Sequence, residues 1–353
     1  MPVTLAHEFF IQLHLTERCN LRCTHCYQEG TCSQEMSFGE VRGLVSEVSE
    51  MISEWEDSYA LRFSRSFNVT GGEPLLRPDL FDILEEIASH GFSLFVLSNG
   101  TLVSDQAARM LAEAGVEGVQ VSIEGPEAVH DAVRGRGSFL SAIRGIGSLL
   151  KAKVPVSLNV TLSEFNAARF PEVVELAKSL GIPKVGFSRL VPSGRGLAMV
   201  NDSLRPERLR TIYSELLSID APGIEIVTGD PIASQVGSTT DLTDCGAIPQ
   251  GGCAAAVSGL TVLPDGTVTP CRRLAVPIGN IRHDSLRELW ATSPVLESLR
   301  ERRRYTGRCG TCPRWARCRG CRAIAYAHSQ MRGHGNFLSE DPQCFIEGSA
   351  RAS

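Results

Sequence analysis

The chain is 353 residues long, 42% hydrophobic and 21% charged, with a formal net charge of −5. This length suits one large domain and a smaller one, and the slightly acidic balance gives no support for general nucleic-acid binding. No stretch approaches the roughly 18 apolar residues that span a bilayer, and the opening Met-Pro-Val-Thr-Leu-Ala-His-Glu lacks the basic-then-apolar order of a secretory signal.

A first apolar run at 9–15 reads as a strand, and Cys19-Asn20-Leu21-Arg22-Cys23-Thr24-His25-Cys26 follows it. The spacing C-x3-C-x2-C lets a compact loop aim three thiolates at one centre. Four thiolates close a tetrahedral zinc site or saturate an iron–sulfur cluster, whereas three leave a position open for chemistry. His25 or Cys32 offers an alternative fourth ligand for a zinc knuckle. Further strands at 67–70, 94–98, 119–123, 156–161 and 184–189 alternate with apolar patterns of helical period at 38–55, 80–90, 103–114, 139–151 and 170–180. Pro78-Asp79 before the second helix, and Gly91 and Gly181 after theirs, fit start and stop chemistry.

Single strands alternating with helices predict parallel β/α units with right-handed crossovers. Six units suggest an α/β fold built as an open, partial (β/α)6 barrel of TIM-like type. Ligands in such folds gather at the C-terminal ends of the strands. There the chain places the cysteine loop after strand one, Gly71-Gly72-Glu73-Pro74 after strand two, Ser98-Asn99 after strand three, and Ser122 with Glu124 after strand four. All converge on one mouth, and paired glycines let backbone approach a ligand closely. Arg189 and Arg195 lie in the turn that closes the sixth unit, where surface salt bridges are the ordinary fate of either. A helix at 204–217 and a Pro/Gly/Ser/Thr-rich bridge come next. The expected division is 1–220 as core, 221–244 as bridge and 245–353 as a small cysteine-rich domain with a β-hairpin and short helices.

The twelve cysteines fall in two fields separated by a cysteine-free stretch from 33 to 244. Clustered thiols without export signals point to metal in a reducing cytoplasm rather than to a disulfide scaffold. The second field runs Cys245, Cys253, Cys271, Cys309, Cys312, Cys318, Cys321 and Cys344. Eight thiols can close two four-ligand sites; alternatively Cys309, Cys312, Cys318 and Cys321 could fold as a zinc ribbon. Leu263-Pro264-Asp265-Gly266 reads as a hairpin turn that brings Cys253 and Cys271 together. From Arg300 to Arg322 nine arginines face one acid, Glu301; about half suit a solvated helix face.

Cys19-Asn20-Leu21-Arg22-Cys23-Thr24-His25-Cys26-Tyr27, then Gly71-Gly72-Glu73-Pro74, Ser98-Asn99, and His130-Asp131-Ala132-Val133-Arg134-Gly135 occur in the order of the radical S-adenosylmethionine (SAM) enzymes, which the chain resembles. The second cysteine field resembles the SPASM domain, a C-terminal extension of that family. The resemblance implies a [4Fe-4S] cluster on Cys19, Cys23 and Cys26 that binds SAM and cleaves it to methionine and a 5′-deoxyadenosyl radical. It implies that Gly71, Gly72 and Glu73, within a motif completed by Pro74, bind the SAM amino group. Ser122 and Arg134 would bind the SAM carboxylate, Ser98 and Asn99 would lie near the ribose, and His25 or Tyr27 would pack on the adenine. Two auxiliary iron–sulfur clusters are implied, one on Cys245, Cys253, Cys271 and Cys321, the other on Cys309, Cys312, Cys318 and Cys344. The chain departs from the family by separating Cys318 from Cys321 with two residues instead of three.

The same resemblance implies an oxygen-sensitive oxidoreductase acting on a peptide or protein, as a ribosomal-peptide maturase does. A flavodoxin- or ferredoxin-type electron donor is implied, and a separate leader-peptide recognition protein is expected because no such module precedes strand one. Sulfatase maturation fits less well, since Arg272 and Arg273 stand where those members carry an acid. A tetrapyrrole-modifying or cofactor-maturing enzyme shares every motif, and a non-enzymatic electron-transfer or zinc scaffold is the remaining alternative. Glu124, Asp265, Glu340 and Asp341 are candidate acid/base groups, with turn and capping roles as their ordinary uses.

Overall fold

The computed structural model describes residues 7–28, 30, 34–236 and 248–346. Six strands form the centre of one sheet: β1 (His7–His14), β2 (Phe63–Thr70), β3 (Ser93–Ser98), β4 (Gly118–Ser122), β5 (Val156–Leu162) and β6 (Lys184–Arg189). They lie in chain order and every neighbouring pair is parallel, as helical crossovers demand. The crossovers are α1 (Phe38–Tyr59), α2 (Leu80–Ser89), α3 (Asp105–Glu113), α4 (Glu127–Arg134), α5 (Ser138–Lys151) and α6 (Phe170–Leu180), with α7 (Pro206–Leu217) following β6. The helix boundaries follow local chemistry. Ser37 and Glu40 form a reciprocal capping box at the start of α1, and Gly181 ends α6 in the left-handed conformation.

The sheet continues past both ends of this set. A short β7 (Glu225–Val227) pairs in parallel with β6, inside the segment expected as a bridge. On the other side β8 (Gly259–Val262) pairs in parallel with β1, and β9 (Thr267–Thr269) and β10 (Gly279–Asn280) extend the edge antiparallel. The sheet is therefore open, with β10 and β7 as its two edges. A Cβ at Gly259 would run into the Phe10 carbonyl and ring, so glycine permits the close seating of β8 on β1. The C-terminal region adds α8 (Leu286–Thr292), α9 (Pro294–Arg300), α10 (Arg308–Thr311) and α11 (Arg322–Met331). Trp290 of α8 packs edge-on against Phe9 of β1 at 5.1 Å, joining this region to the core.

The two faces of the sheet differ in character. On β4 and β5, Val119, Val121, Leu158 and Val160 are buried under the helices. The alternate positions Gln120, Ser122, Asn159 and Thr161 line a cavity on the opposite face. A two-residue period thus separates a dry core from a polar chamber. Among the described residues no helix is long and apolar enough to cross a membrane.

Candidate functional site

The cavity has a volume of about 420 Å³ and opens at the C-terminal ends of the strands. Cys19, Cys23 and Cys26 all line it, as do Gly71, Gly72, Ser98, Asn99, Ser122, Arg134, His25 and Tyr27. The predicted mouth is therefore one physical chamber.

Backbone hydrogen bonds from the surrounding turns shape the cysteine loop. The amides of Gly72 and Glu73 donate to the carbonyls of Thr16 (2.7 Å) and Arg18 (2.9 Å), and Thr24 N donates to Val133 O (2.9 Å). Gly196 N reaches Cys26 O at 2.9 Å, and Arg195 Nε reaches Cys23 O at 3.2 Å. A Cβ at Gly71 would lie 2.5 Å from the Thr16 carbonyl, and one at Gly72 would overlap the Arg18 carbonyl. The paired glycines therefore have a packing reason apart from any ligand: they let the cysteine loop lie directly on the turn after β2. Pro74 is buried and opens the short helical turn that Glu73 caps through Leu75 N.

Glu73 is fully buried. It accepts hydrogen bonds from Ser98 Oγ (2.8 Å), Asn99 N (2.9 Å) and Leu75 N (3.3 Å). Burial lifts its pKa to about 7 against the downward pull of these donors. Asn99 turns its amide toward Asn20 Oδ1 (2.9 Å) and Cys19 Sγ (3.9 Å). The ends of β2 and β3 thus grip the loop that carries the first cysteine.

Across the chamber, Arg134 donates to Glu124 Oε1 through Nη2 (2.5 Å) and Nε (2.9 Å), and Nη1 lies 3.9 Å from Cys23 Sγ. His25 Nε2 lies 3.3 Å from the same carboxylate oxygen. Glu124 also accepts Thr161 N at 2.9 Å, while Asn166 Nδ2 donates to its backbone carbonyl at 3.1 Å. Burial alone would raise the pKa of Glu124, but the charges of Arg134 and His25 outweigh it, so the carboxylate stays ionised. This buried carboxylate, one of the candidate acid/base groups, acts here as the anchor that orients Arg134 and His25. Asn166 had no signal in the sequence beyond its place after β5. Tyr27 sits beside buried His14, with Oη 3.5 Å from Nε2. Burial, helped by Arg272, holds His14 neutral with a pKa of about 3.

The other candidates separate clearly. Asp265 is a turn residue that accepts Thr267 N at 3.0 Å, and Glu340 accepts Arg308 N at 2.9 Å. Asp341 is fully buried. It pairs with Arg189 at 3.1 and 2.8 Å and accepts Cys321 N at 2.8 Å. Arg189 also pairs with Asp230 at 2.6 Å. The expectation of a surface salt bridge at Arg189 is thereby corrected: the residue is 1% exposed and joins β6 to the C-terminal region. The sequence hid this because Asp230 and Asp341 lie far from Arg189 along the chain.

The second cysteine field falls into two neighbourhoods. Burial raises the Cys318 thiol pKa, and Cys309 and Cys344 push the same way; Cys309 does so at Cys312 and Cys344 as well. Burial pushes Cys321 up to about 12, with Cys253 adding to it while Arg273 opposes, and Arg273 in turn interacts with Cys271. Cys309 thus acts on Cys312, Cys318 and Cys344, and Cys253 on Cys321, while the Cys253 amide donates to the Cys318 carbonyl at 3.2 Å between the two groups. Cys32 and Cys245 lie outside the described residues. Arginines provide the local counter-charge: Arg322 is buried with Nη2 3.7 Å from Cys309 Sγ, and buried Arg319 donates to the Cys253 carbonyl. These two are core residues, whereas Arg303 and Arg304 belong to a solvated surface.

Among the described residues, no three His, Cys, Asp or Glu side chains converge tightly enough to hold a single metal ion. An iron–sulfur cluster spreads its ligands over a wider perimeter than one ion does. Buried, mutually repelling thiols beside guanidinium groups have the donor chemistry such a cluster needs.

The comparisons agree with this geometry. The profile of the Radical SAM superfamily matches residues 13–177, and that of an iron–sulfur cluster-binding domain, SPASM, matches residues 253–322. The chain is 32% identical over 350 residues to the AdoMet-dependent heme synthase of Methanosarcina barkeri, covering 95% of each. It is 30% identical to the pre-heme d1 synthase of Dinoroseobacter shibae, covering 94% of this chain and 85% of that one. The solved structure of anSMEcpe with bound AdoMet and Kp18Cys peptide shares the fold, with a TM-score of 0.66, 21% identity and 90% of each chain covered. The chain belongs to the radical SAM superfamily, as an oxidoreductase-type enzyme with a SPASM-type iron–sulfur region behind its core.

Proposed function

We propose that this enzyme modifies a tetrapyrrole by radical SAM chemistry. The single observation that carries the substrate is the 32% identity, along 95% of both chains, to a protein named for heme synthesis. Family membership implies a SAM-binding iron–sulfur cluster and auxiliary clusters. Residues 1–220 would form the core as a partial barrel and 245–353 the auxiliary domain. Cys19, Cys23 and Cys26 would hold the SAM-binding cluster. Cys245, Cys253, Cys271 and Cys321 would hold one auxiliary cluster, and Cys309, Cys312, Cys318 and Cys344 the other. Three four-iron clusters would give about twelve irons per chain. Held by Cys19, Cys23 and Cys26, such a cluster would pass one electron from an external reductant to SAM, the chemistry that yields methionine and a hydrogen-abstracting 5′-deoxyadenosyl radical.

The protein's own share is orientation and exclusion. The Gly71-Gly72 backbone, with Glu73 buried behind it, would hold the SAM ammonium, and Ser122 and Arg134, which line the chamber, would hold its carboxylate. The side chains of Asn159 and Thr161 present hydrogen-bonding groups above a dry sheet. A peptide substrate is the second reading, supported by 27% identity, over 98% of this chain, to a protein named PqqA peptide cyclase.

The test is anaerobic incubation of reconstituted enzyme with SAM and reductant, plus either a carboxylated porphyrin or candidate peptides. The proposal expects a mass change on the porphyrin coupled to 5′-deoxyadenosine release. A mass change confined to a peptide would overturn the substrate assignment.

A further inference from the structure

The chamber wall carries more positive charge than its own carboxylates neutralise. Arg134 is paired with Glu124, Arg189 with Asp230 and Asp341, and Arg18 with Glu35. Arg195, Arg272 and Arg273 also line the cavity, yet no described carboxylate lies within ion-pair distance of any of them. Each is nevertheless held in place. Arg195 Nε donates to Cys23 O at 3.2 Å, Arg273 Nη1 donates to Arg189 O at 3.2 Å, and the Arg272 guanidinium lies 5.9 Å from the centre of the Tyr27 ring. Arg273 Nε is buried and has no hydrogen-bond partner. Leaving a buried cationic donor unmade is unfavourable unless something arrives to meet it.

We propose that Arg272 and Arg273, with Arg195 facing them from the cysteine-loop side, form a clamp for the carboxylates of the substrate. The inference rests on the tetrapyrrole reading and deepens it: the macrocycle would carry ionised carboxylate side chains. The position argues against SAM as the anion for Arg273: the Gly71–Glu73 turn ends β2, whereas Arg273 leans on the last residue of β6, four strands along the sheet. Three guanidiniums lining one chamber suit several carboxylates on a rigid frame, because planar forks bind carboxylate bidentately. Since both arginines directly follow Cys271, the clamp would seat the substrate between the cysteine loop and the auxiliary thiols. These are specificity-determining residues that composition alone could not reveal, as the chain as a whole is acidic.

The experiment is anaerobic titration of reconstituted holoenzyme with coproporphyrin III, a tetracarboxylate porphyrin, and with its tetramethyl ester, followed by the porphyrin absorbance shift. Wild type, Arg272→Gln, Arg273→Gln and the double variant are compared, with SAM affinity and iron content measured on each. The clamp predicts that wild type prefers the acid over the ester. It predicts that the double variant binds the acid roughly 10- to 100-fold more weakly, and that Arg272→Gln alone weakens acid binding with ester binding, SAM affinity and iron content unchanged. Equal binding of acid and ester by wild type, or undiminished acid binding by the double variant, overturns the clamp while leaving the tetrapyrrole reading intact. A drop in SAM affinity with acid binding unchanged assigns the arginines to SAM and overturns the clamp. If Arg273→Gln loses iron, that residue belongs to the auxiliary site, and Arg272→Gln alone then decides the proposal. Wild-type enzyme that binds neither porphyrin contradicts the tetrapyrrole reading, and this inference falls with it.

Discussion

Two buried carboxylates, Glu73 and Glu124, sit on opposite sides of the chamber, and their surroundings drive them apart. Glu124 has a guanidinium and an imidazole against it and stays charged; Glu73 is hydrogen-bonded by neutral donors alone, Arg134 acts on it only from a distance, and burial lifts it to about 7. A carboxyl whose folded pKa lies above its unfolded value binds its proton more tightly when folded. Its contribution to stability is therefore present at low pH and is lost as pH rises from about 4.5 to about 7. For SAM-free protein this difference amounts to about 3 kcal/mol. Urea unfolding at about pH 5 and about pH 8 should show wild type losing that much more stability than Glu73→Gln across the interval. Parallel pH profiles for the two proteins would refute the assignment. Glu73 was legible in the sequence as part of a motif, but its partners Ser98 and Asn99 became partners only once β3 was seated beside β2. His25 directs Nε2 toward Glu124 at 3.3 Å, a contact its place in the cysteine motif could not disclose.

At the scale of elements, local pattern carried much. The helix at 170–180 and the strand at 184–189 were legible to the residue, because Gly181 stops one and β-branched and aromatic residues mark the other. Helix α4 was not among the expected helices because its eight residues make only about two turns, too short a window for the buried face of His130, Val133 and Arg134 to stand out. The three-residue β7 lies in a run at 224–228 rich in β-branched residues, but Pro/Gly-rich chain on both sides masked that short strand signal. Pairing of β8 with β1 joins residues about 250 positions apart, and register over that span comes from packing rather than local preference. The contact between the Gly71-Gly72 turn and the cysteine loop belongs to this scale. Gly72→Ala should push the Arg18 carbonyl outward, displace the loop and reduce iron bound at the core site, read as iron per chain after anaerobic reconstitution. Gly147 is the control. It lies inside α5 with open space where a Cβ would go, so Gly147→Ala should keep its iron and gain roughly 0.5–1 kcal/mol in unfolding free energy. Equal iron in both variants would remove the packing role given to Gly72.

At the scale of the whole molecule, the two cysteine fields meet across a continuous sheet and a buried ionic network. Arg189 on β6 is held by Asp230 after β7 and by Asp341 near the C-terminus, and Asp341 in turn accepts the Cys321 amide. Neutralising Asp341 removes one of the two carboxylates on buried Arg189 and leaves Asp230 as the other. Asp341→Asn should therefore cost roughly 1.5–3 kcal/mol and speed amide exchange around Cys321 more than in β1 to β4. Uniform exchange across the chain would show that the network does not tie the regions together. The network serves a chamber whose floor is polar side chains, whose rim is the loop carrying Cys19, Cys23 and Cys26, and whose far wall is arginine.

The central claim is that this loop generates the radical. The most direct measurement is 5′-deoxyadenosine formed from SAM under anaerobic reduction by reconstituted wild type and by Cys19→Ser, Cys23→Ser and Cys26→Ser. Formation by wild type and its loss in all three variants is the predicted result; a serine variant that releases 5′-deoxyadenosine at the wild-type rate would contradict it.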